Sequence, residues 1–463
     1  MKVVMNVFIG RKREVEQLNE LYESNRFEYA AVYGNIHVGK TTLIKEFCKG
    51  KKFIYYQVTN CDKDYNLAKL SEAIYDILFP NVIPPIYNSF NTLFNILDNM
   101  NERIILVIDE YPLLAVGFPP ISSIIQNHID LNWREHKLML ILISSSIRFM
   151  QFKVLGYKSP LYGRNTCQFR IYPFHFSELK QLHWPYSPQE LAVLYAITNG
   201  VPAYLEMINP TKTVKENIIN LYLSNKMISP FDVLKYEFLD IRSYQSILSC
   251  ISKKAKTIDI IKKETKLKSG TISNIIYDLL EMKIIKKEIP YGENEQSKNT
   301  LYLLSDFSFM FWFRFLYSSD LNHNTLEAYY QKIIEPQLDD YMETVFISLC
   351  QEYMYHPIMF KNAPFFYSDI RCWWNNKTVE RIDVFAEDHE HVILGKCKWT
   401  NDKIDKKVLD DLLKQGTLFK QEYKYYYLFS KNGFTDAVID YVNDHTNVSL
   451  ITIEDIYQSK LFI

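Results

Sequence analysis

The stretch EYAAVYGNIHVGKTTLIKEFCK, residues 28–49, decides the fold of the first part of this chain. Its apolar start ends at Gly34, and Gly39-Lys40-Thr41 follows five residues later, ahead of an amphipathic run. A strand, a glycine-bounded loop and a helix in this order, spaced as G-x-x-x-x-G-K-T, predict a loop whose backbone N–H groups converge on a polyphosphate. A plain glycine turn before a helix is the alternative, and the Lys-Thr pair favours the phosphate-binding loop.

Each residue type in this loop has a role in holding a nucleotide. Glycine allows the tight turn, the Lys40 ammonium reaches the β- and γ-phosphates, and the Thr41 hydroxyl is a ligand for Mg²⁺. The sequence therefore predicts ATP and Mg²⁺ as ligands. The loop residues predicted to bind the nucleotide are Gly34, Asn35, His37, Val38, Gly39, Lys40, Thr41 and Thr42.

A second motif, RIILVIDE at residues 103–110, ends in two carboxylates. Its continuous apolar run is typical of a strand that is buried on both faces of a parallel sheet. After a phosphate-binding loop, this pattern predicts that Asp109 holds Mg²⁺ and that Glu110 orients or deprotonates the attacking water. A solvated acidic strand end is the alternative interpretation.

A third apolar run, at residues 138–143, ends in Ser144-Ser145-Ser146. It lies where ATPases with these motifs carry a polar group that detects the γ-phosphate, and we favour Ser144 or Ser145 for that role. The three serines are equally suited to cap the helix that follows.

Arg164 stands in a Tyr-Gly-Arg loop ahead of the strand predicted at residues 168–172. An arginine there could reach a phosphate in its own chain or in a neighbour's, as an arginine finger, or it could form a surface ion pair. With this strand, five strand candidates alternate with helices. The fold class predicted for residues 1–174 is therefore α/β, a doubly wound three-layer domain.

Residues 175–238 are predicted to form a helical lid over the nucleotide, and residues 239–317 a winged helix followed by an aromatic connector. The lid carries the turn Gly200-Val201-Pro202. In the second region three helical patterns precede two strand patterns, which is the order of elements in a winged helix, and Lys and Arg are in slight excess. Such a module can bind DNA, contact a protein or serve structure only, and these alternatives stay open.

The last region, residues 318–463, alternates strands and helices. Asp383 lies on one predicted strand and Lys398 near the end of the next, with Glu343 on a preceding helix. An Asp followed on the next strand by Glu/Asp-x-Lys builds a Mg²⁺-dependent nuclease site, but here Lys396 takes the place of the second carboxylate and should repel the metal. The sequence predicts a restriction-endonuclease-like α/β domain whose site is degenerate, with the residues Glu343, Asp383, Lys396 and Lys398.

The bulk composition indicates where in the cell the protein is expected, but it does not indicate whether the protein binds nucleic acid. The 53 Lys and Arg nearly cancel the 54 Asp and Glu, so the net charge argues neither for nor against nucleic acid. The seven cysteines include no C-x-x-C pair, which disfavours a zinc site and a disulfide framework. The apolar runs are too short for a signal peptide or a membrane span. We therefore expect a cytoplasmic protein with no membrane partner.

Taken in order, several segments resemble the archaeal-ATPase group of P-loop AAA/STAND-like ATPases, whose C-terminal domain of unknown function 234 (DUF234) is similar to PD-(D/E)XK nucleases. The resemblance implies ATP binding and hydrolysis. In this group a Gly-x-Pro turn lies close to the nucleotide, so the resemblance implies that Pro202 contacts it. The segments that carry the resemblance are the phosphate loop, RIILVIDEYPLL, VLGYKSPLYGR, NGVPAYL, the winged helix, FMFWFRF and GKCKW…LFSKNGFT.

Two positions depart from the pattern of this group. Asn35-Ile36-His37 stands in the phosphate loop where Arg-rich residues are usual, and the essential Gly and Lys-Thr remain, so ATP binding should survive. Lys396 stands where the group's Gly-Glu-Cys-Lys motif has its Glu. The second departure argues against nuclease activity.

The leading hypothesis is an ATP-binding switch, a Mg²⁺-dependent ATPase coupled to a winged helix and an inactive nuclease-like domain. One alternative is an ATP-gated DNA nuclease. Another is a non-enzymatic module that binds double-stranded DNA or a protein partner. The sequence leaves open the oligomeric state, and whether Arg164 acts within its own chain.

Overall fold

The computed structural model describes residues 8–98, 100–223, 229–252, 254–289, 293–294, 296–317, 325–355, 363–374 and 380–459. These residues divide into two units. The N-terminal unit comprises Gly10–Pro173 together with Phe231–Leu239, and the C-terminal unit comprises the rest. No helix within the described ranges is both long and apolar enough to cross a bilayer.

A single sheet organises the N-terminal unit. Its strands are β1 Glu28–Tyr33, β2 Phe53–Gln57, β3 Ile104–Asp109, β4 Leu138–Ser144 and β5 Cys167–Arg170. They are parallel and lie in the order β2-β3-β4-β1-β5. The central strands β1, β3 and β4 are buried along their whole length, as expected for apolar runs inside a parallel sheet. The predicted α/β class is confirmed.

Helices connect these strands and complete the core. Trp133 and Phe94 are fully buried and pack edge to face, with ring centroids 5.6 Å apart, in the cluster that also contains sheet side chains such as Leu106. The helices are Lys12–Glu23, Lys40–Phe47, Lys63–Leu78, Phe90–Phe94, Tyr111–Gly117, Ile121–Leu131 and Ile147–Phe149, with a 3₁₀ turn at Trp133–Glu135 and a π-helical turn at Met150–Val154.

The first part of the C-terminal unit is helical, with a 3₁₀ segment Phe176–Leu182 and the helices Pro188–Thr198, Pro202–Leu205 and Val214–Ile218, the last continuing as a π-helical turn Ile219–Leu223. The aromatic connector forms the helix Phe307–Phe315, which is almost entirely buried. The hydroxyl of Tyr341, on the helix Glu335–Met354, lies 2.7 Å from the Ala196 carbonyl oxygen and 3.0 Å from that of Phe307. The connector is therefore a core helix of this unit.

Three helices and a hairpin lie between these parts. The helices are Arg242–Ser252, Ile258–Thr265 and Ser269–Glu281, and the antiparallel hairpin pairs β6 Ile285–Glu288 with β7 Leu301–Leu304. This is the order of elements in a winged helix, and the fold assignment and the DNA contact remain predictions.

A second sheet closes the C-terminal unit. Its strands are β8 Arg371–Trp374, β9 Arg381–Glu387, β10 His391–Lys398, β11 Tyr423–Ser430 and β12 Val448–Thr452. The order is β12-β11-β10-β9-β8, with β8, β9 and β10 antiparallel and β10, β11 and β12 parallel. A short helix, Leu326–Tyr329, and a π-helical turn, Tyr330–Ile334, precede the helix Glu335–Met354. The parallel strands alternate with the helices Lys406–Gly416, Asp436–Asn443 and Ile453–Gln458.

The predicted lid, residues 175–238, does not form a unit of its own. Residues 174–230 group with the C-terminal unit, whereas Phe231–Leu239 groups with the N-terminal unit. The reason is a cap: the Glu237 carboxylate, at the end of the helix Pro230–Glu237, accepts hydrogen bonds from the Ser146 hydroxyl and the Ile147 backbone N–H, each at 2.6 Å. The boundary proposed at residue 318 adjoins residues 318–324, which lie outside the described ranges.

Gly200 should be irreplaceable for steric reasons. Its φ is +66°, and a Cβ there would lie 2.1 Å from the Phe174 carbonyl oxygen. Gly433 has φ +81° but open space around the same position, so Gly433→Ala is the matched control. Gly433→Ala should cost about 1 kcal/mol of unfolding free energy, and Gly200→Ala roughly 2 kcal/mol more because the backbone must also move. Denaturant titrations of both variants measure the difference, and equal losses would contradict the steric account.

Candidate functional site

The loop between β1 and the helix Lys40–Phe47 runs along the carboxyl edge of the N-terminal sheet. The Gly34 N–H donates to the Ser144 carbonyl at 3.3 Å, and a Cβ on Gly34 would lie 2.3 Å from the Ile171 carbonyl oxygen. Gly39 has φ +87°, which favours glycine. The two glycines of the motif are thus required for different reasons, one by a close approach and the other by its backbone conformation.

Lys40 is almost fully buried inside this loop. Its Nζ donates to the carbonyl oxygens of Gly34 at 3.0 Å and Asn35 at 2.8 Å. Burial lowers the pKa of Lys40 to about 8, against the opposing effect of nearby carboxylates, Glu110 first among them. The ammonium is therefore held by neutral acceptors, which the oxygens of a phosphate can replace.

Thr41 and Asp109 meet where the motifs predict the metal. The Thr41 hydroxyl donates to Asp109 Oδ2 at 2.7 Å, and the Tyr55 hydroxyl donates to the same oxygen at 2.6 Å. The Glu110 backbone N–H donates to the other carboxylate oxygen at 2.9 Å. A hydroxyl and a carboxylate this close are hard oxygen ligands of the type that Mg²⁺ takes, so the residues present fit that ion.

Glu110 stands at the start of the helix Tyr111–Gly117 with a left-handed φ of +56°. Its Oε1 accepts a hydrogen bond from the Ser145 hydroxyl. Its Oε2 accepts one from the Tyr236 hydroxyl and a longer one, 3.4 Å, from the Ser145 backbone N–H. A non-glycine residue in this conformation at the end of a buried strand is typical of a functional site.

The three serines after β4 have different partners. Ser145 contacts Glu110, whereas the Ser144 hydroxyl donates to the Ser146 carbonyl at 2.7 Å and so closes its own turn. Ser146 caps the next helix, accepting from the Phe149 N–H at 3.0 Å. The helix-cap interpretation thus describes Ser146. Ser145 lies beside the predicted catalytic carboxylate, and its role as a γ-phosphate sensor stays a prediction.

The other predicted residues of the loop differ in exposure. Val38 is buried, and its carbonyl accepts from the buried Arg11 guanidinium at 3.2 Å. Arg11 also donates to the Tyr172 carbonyl, so it ties the loop to the segment after β5. His37 and Thr42 are exposed, and Asn35 is half-buried.

Arg164 is held by its own unit. Its Nε and Nη2 donate to the Asp130 carboxylate at distances of 2.6–3.1 Å, and its Nη1 donates to the Pro160 carbonyl at 2.8 Å. This pairing lowers the pKa of Asp130. The arrangement is that of the ion-pair alternative, and a finger role stays a prediction that requires Arg164 to leave Asp130. Pro202 begins the helix Pro202–Leu205 in the C-terminal unit, and its nucleotide contact also stays a prediction.

A second polar cluster lies in the C-terminal sheet around Asp383, which is buried on β9. Asp383 Oδ2 lies 3.2 Å from Lys396 Nζ and accepts from the Cys397 N–H at 3.1 Å. Its Oδ1 lies 3.5 Å from Arg381 Nε. Lys398 pairs more loosely with Glu343, at 3.8 Å. The four residues predicted for the degenerate site thus form two ion pairs, and their assembly into one site stays a prediction.

Comparison with known proteins agrees with the motifs. Residues 8–208 match an ATPase domain family found predominantly in Archaea, and residues 312–409 match DUF234, a family of archaeal and bacterial proteins of unknown function. The chain thus combines a region that matches the archaeal ATPase family with a region that matches DUF234. An uncharacterized protein of Methanocaldococcus jannaschii is 28% identical over 429 residues, which span 91% of this chain and 94% of that protein.

Other similar proteins match parts of this chain. An uncharacterized ATP-binding protein of Methanocaldococcus jannaschii is 41% identical over 46 residues, 10% of this chain and 78% of that protein. A Walker-type ATPase of Pyrococcus abyssi superposes with a TM-score of 0.49 at 18% identity, covering 66% of this chain and 96% of that one. The ORC2 protein of Aeropyrum pernix gives a TM-score of 0.45 at 13% identity, over 65% and 92% of the two chains.

Sequence reasoning missed three side chains of the candidate site. Tyr55 lies on β2 with no motif around it, and Tyr236 and Glu237 follow Glu110 by more than a hundred residues. A tyrosine on a strand or helix is common in any core, so no local pattern marks these residues. Sequence reasoning also missed Arg381 in the DUF234 domain, although its position two residues before Asp383 places both on one face of β9.

The lowered pKa of Lys40 predicts a pH-dependent affinity for ATP. The phosphates bind the charged ammonium, and above pH 8 the free protein increasingly holds the neutral amine, so binding must take up a proton. Between pH 7 and pH 9 the affinity should fall roughly tenfold, with the loss beginning near pH 8. Calorimetry in two buffers of different ionisation enthalpy should detect the proton uptake at pH 9 and its absence at pH 7. An affinity and proton count that do not change across this range would contradict the assignment.

Proposed function

We propose that the protein binds ATP with Mg²⁺ at the carboxyl edge of its N-terminal sheet and hydrolyses it, with Glu110 as the general base. The observation that supports this most is the convergence of side chains from two motifs, whose residues Thr41 and Asp109 are 68 positions apart in the chain. Lys40 is held by exchangeable carbonyl partners, Thr41 and Asp109 lie 2.7 Å apart, and Glu110 ends the adjacent strand. Each is the residue type that ATP hydrolysis needs in that position.

The side chains divide the work among them. The Lys40 ammonium exchanges the Gly34 and Asn35 carbonyls for phosphate oxygens, and the backbone N–H groups of the loop point at the same phosphates. Thr41 and Asp109 would hold Mg²⁺, which neutralises the charge on the phosphate oxygens when it is bound. A carboxylate oxygen of Glu110 accepts the proton of the attacking water. Ser145 keeps the Glu110 side chain oriented through Oε1.

Replacing the proposed base separates hydrolysis from binding. Glu110→Gln keeps the size of the side chain but cannot accept the proton, so single-turnover phosphate release should fall by a factor of about 10² to 10⁴ while ATP still binds. Glu46→Gln is the matched control, because Glu46 lies on the helix after the loop and pairs with Lys49 on its surface. Equal inactivity of the wild type and Glu110→Gln with ATP bound would make the protein a nucleotide-dependent binder.

The finer part of the proposal concerns what hydrolysis drives. The chain passes from the N-terminal unit to the C-terminal unit after Pro173, returns for Phe231–Leu239 and leaves again. Such double connectivity suits a switch in which the nucleotide state alters the winged-helix and DUF234 parts. We propose that these parts respond by binding DNA or a protein rather than by cutting DNA.

The reason for the non-cutting proposal is Lys396. Its ammonium lies 3.2 Å from Asp383 Oδ2 and supplies, from within the chain, the positive charge that a metal ion would bring to that carboxylate. The Cys397 N–H occupies a further acceptor position on the same oxygen. A divalent ion would have to approach a carboxylate that is already neutralised, against the repulsion of the ammonium.

A charge reversal at Lys396 tests this account. The wild-type protein should not cleave plasmid DNA with Mg²⁺ or Mn²⁺, and Lys396→Glu should restore weak, metal-dependent cleavage because it places a second carboxylate beside Asp383. Lys420→Glu makes the same charge change at an exposed position of the same unit and should restore nothing. Robust wild-type cleavage that Asp383→Ala abolishes would overturn the proposal.

A further inference from the structure

The segment Phe231–Leu239 is the part of the chain beyond residue 173 that belongs to the N-terminal unit. Three side chains in a row attach it there. Tyr236 donates to Glu110, Glu237 accepts from Ser146 and Ile147, and the Phe238 ring lies under the Arg148 guanidinium at 5.9 Å. The attachment therefore reaches the proposed general base itself, through a residue that no ATPase motif contains.

The Tyr236 contact uses the oxygen of Glu110 that is otherwise least engaged. Oε1 already accepts from the Ser145 hydroxyl, and Oε2 has only the long 3.4 Å contact with the Ser145 N–H besides the phenol. A general base must offer one oxygen to the water at ordinary hydrogen-bond distance. A phenol seated on Oε2 competes with that water for the same oxygen and keeps a proton in the place where the water's proton must go.

Glu110 does not need Tyr236 for its orientation. Its backbone is fixed at the end of β3 and the start of a helix, and Ser145 holds the carboxylate from the other side. Burial raises the pKa of the Tyr236 phenol well above its ordinary value, and its bond to Glu110 raises it further. The phenol therefore keeps its proton at neutral pH, and movement of the segment is what breaks the contact.

We propose that Tyr236 is a brake on ATP hydrolysis, which holds Glu110 away from the attacking water until the segment Phe231–Leu239 is displaced. This inference rests on the proposed ATPase function and adds its regulation. The segment is covalently continuous with the C-terminal unit at both ends, so a ligand of the winged-helix or DUF234 parts that draws on either end releases the base. Tyr236 is a positioning residue in this account, since it acts only through Glu110.

Removing the hydroxyl alone provides the test. Steady-state hydrolysis is compared for the wild type, Tyr236→Phe and the control Tyr157→Phe, in which an exposed tyrosine of the same unit loses its hydroxyl. Tyr236→Phe should raise kcat about tenfold, the effect expected for losing one hydrogen bond to a charged group, and leave KM for ATP unchanged. Tyr157→Phe should match the wild type. Glu237→Ala, which removes the neighbouring attachment of the segment, should raise kcat in the same direction.

The outcomes separate this inference from the proposed function. An active wild type, an inactive Glu110→Gln and a kcat that is unchanged or lower in both Tyr236→Phe and Glu237→Ala would overturn the brake and leave the ATPase proposal standing. An active wild type with a raised kcat in Tyr236→Phe, which is lost on adding Glu110→Gln, would support both. No hydrolysis in any variant, with ATP bound, would overturn both.

Discussion

Parallel hydrogen bonding between β1, β4 and β3 aligns Tyr33 with Ser144 and Ile108 with Leu142, so that the three strands end at one edge of the sheet. Everything at the ATPase site depends on this register. The loop after β1, the carboxylates at the end of β3 and the serines after β4 are each followed by a helix or a tight turn. The buried strands fix where these segments begin. The polar side chains meet because the carboxyl ends of parallel strands all lie at the same edge of the sheet.

The two polar clusters of the molecule use lysine in opposite ways. At the ATPase site Lys40 is buried against neutral carbonyls, a placement that lowers its pKa and leaves its charge available to an anion. In the DUF234 domain Lys396 lies against a buried carboxylate, and the two charges satisfy each other. The oxygens of an anionic ligand can replace the neutral carbonyl partners of Lys40 and satisfy its charge more fully. The second cluster needs no ligand, which is the physical reason why we assign activity to the first site.

The return of residues 231–239 to the N-terminal unit changes how the domains are understood. A helical lid that simply followed the ATPase domain would influence hydrolysis by covering the nucleotide. Here a short helix places Tyr236 on Glu110 and Glu237 on the turn after β4, so the proposed general base contacts a segment that follows residue 230. Glu237 accepts from both the Ser146 hydroxyl and the Ile147 backbone N–H, so the segment is attached to this turn at two points.

The amino-acid sequence by itself determined the elements whose signals are local. The strand, loop and helix at residues 28–49, the buried strand ending in Asp109-Glu110 and the α/β class follow from spacing and apolar runs, because the required backbone conformations are fixed by neighbouring residues. The presence of Lys396 in place of Glu could also be recognised from the sequence, since it lies inside the Gly-Glu-Cys-Lys motif. Only the tertiary structure decided which serine contacts Glu110, that Arg164 pairs with Asp130, and that Tyr236 belongs to the ATPase site. These contacts join residues that are tens of positions apart, from 34 for Arg164 to 126 for Tyr236, and such pairs leave no periodic pattern in the sequence.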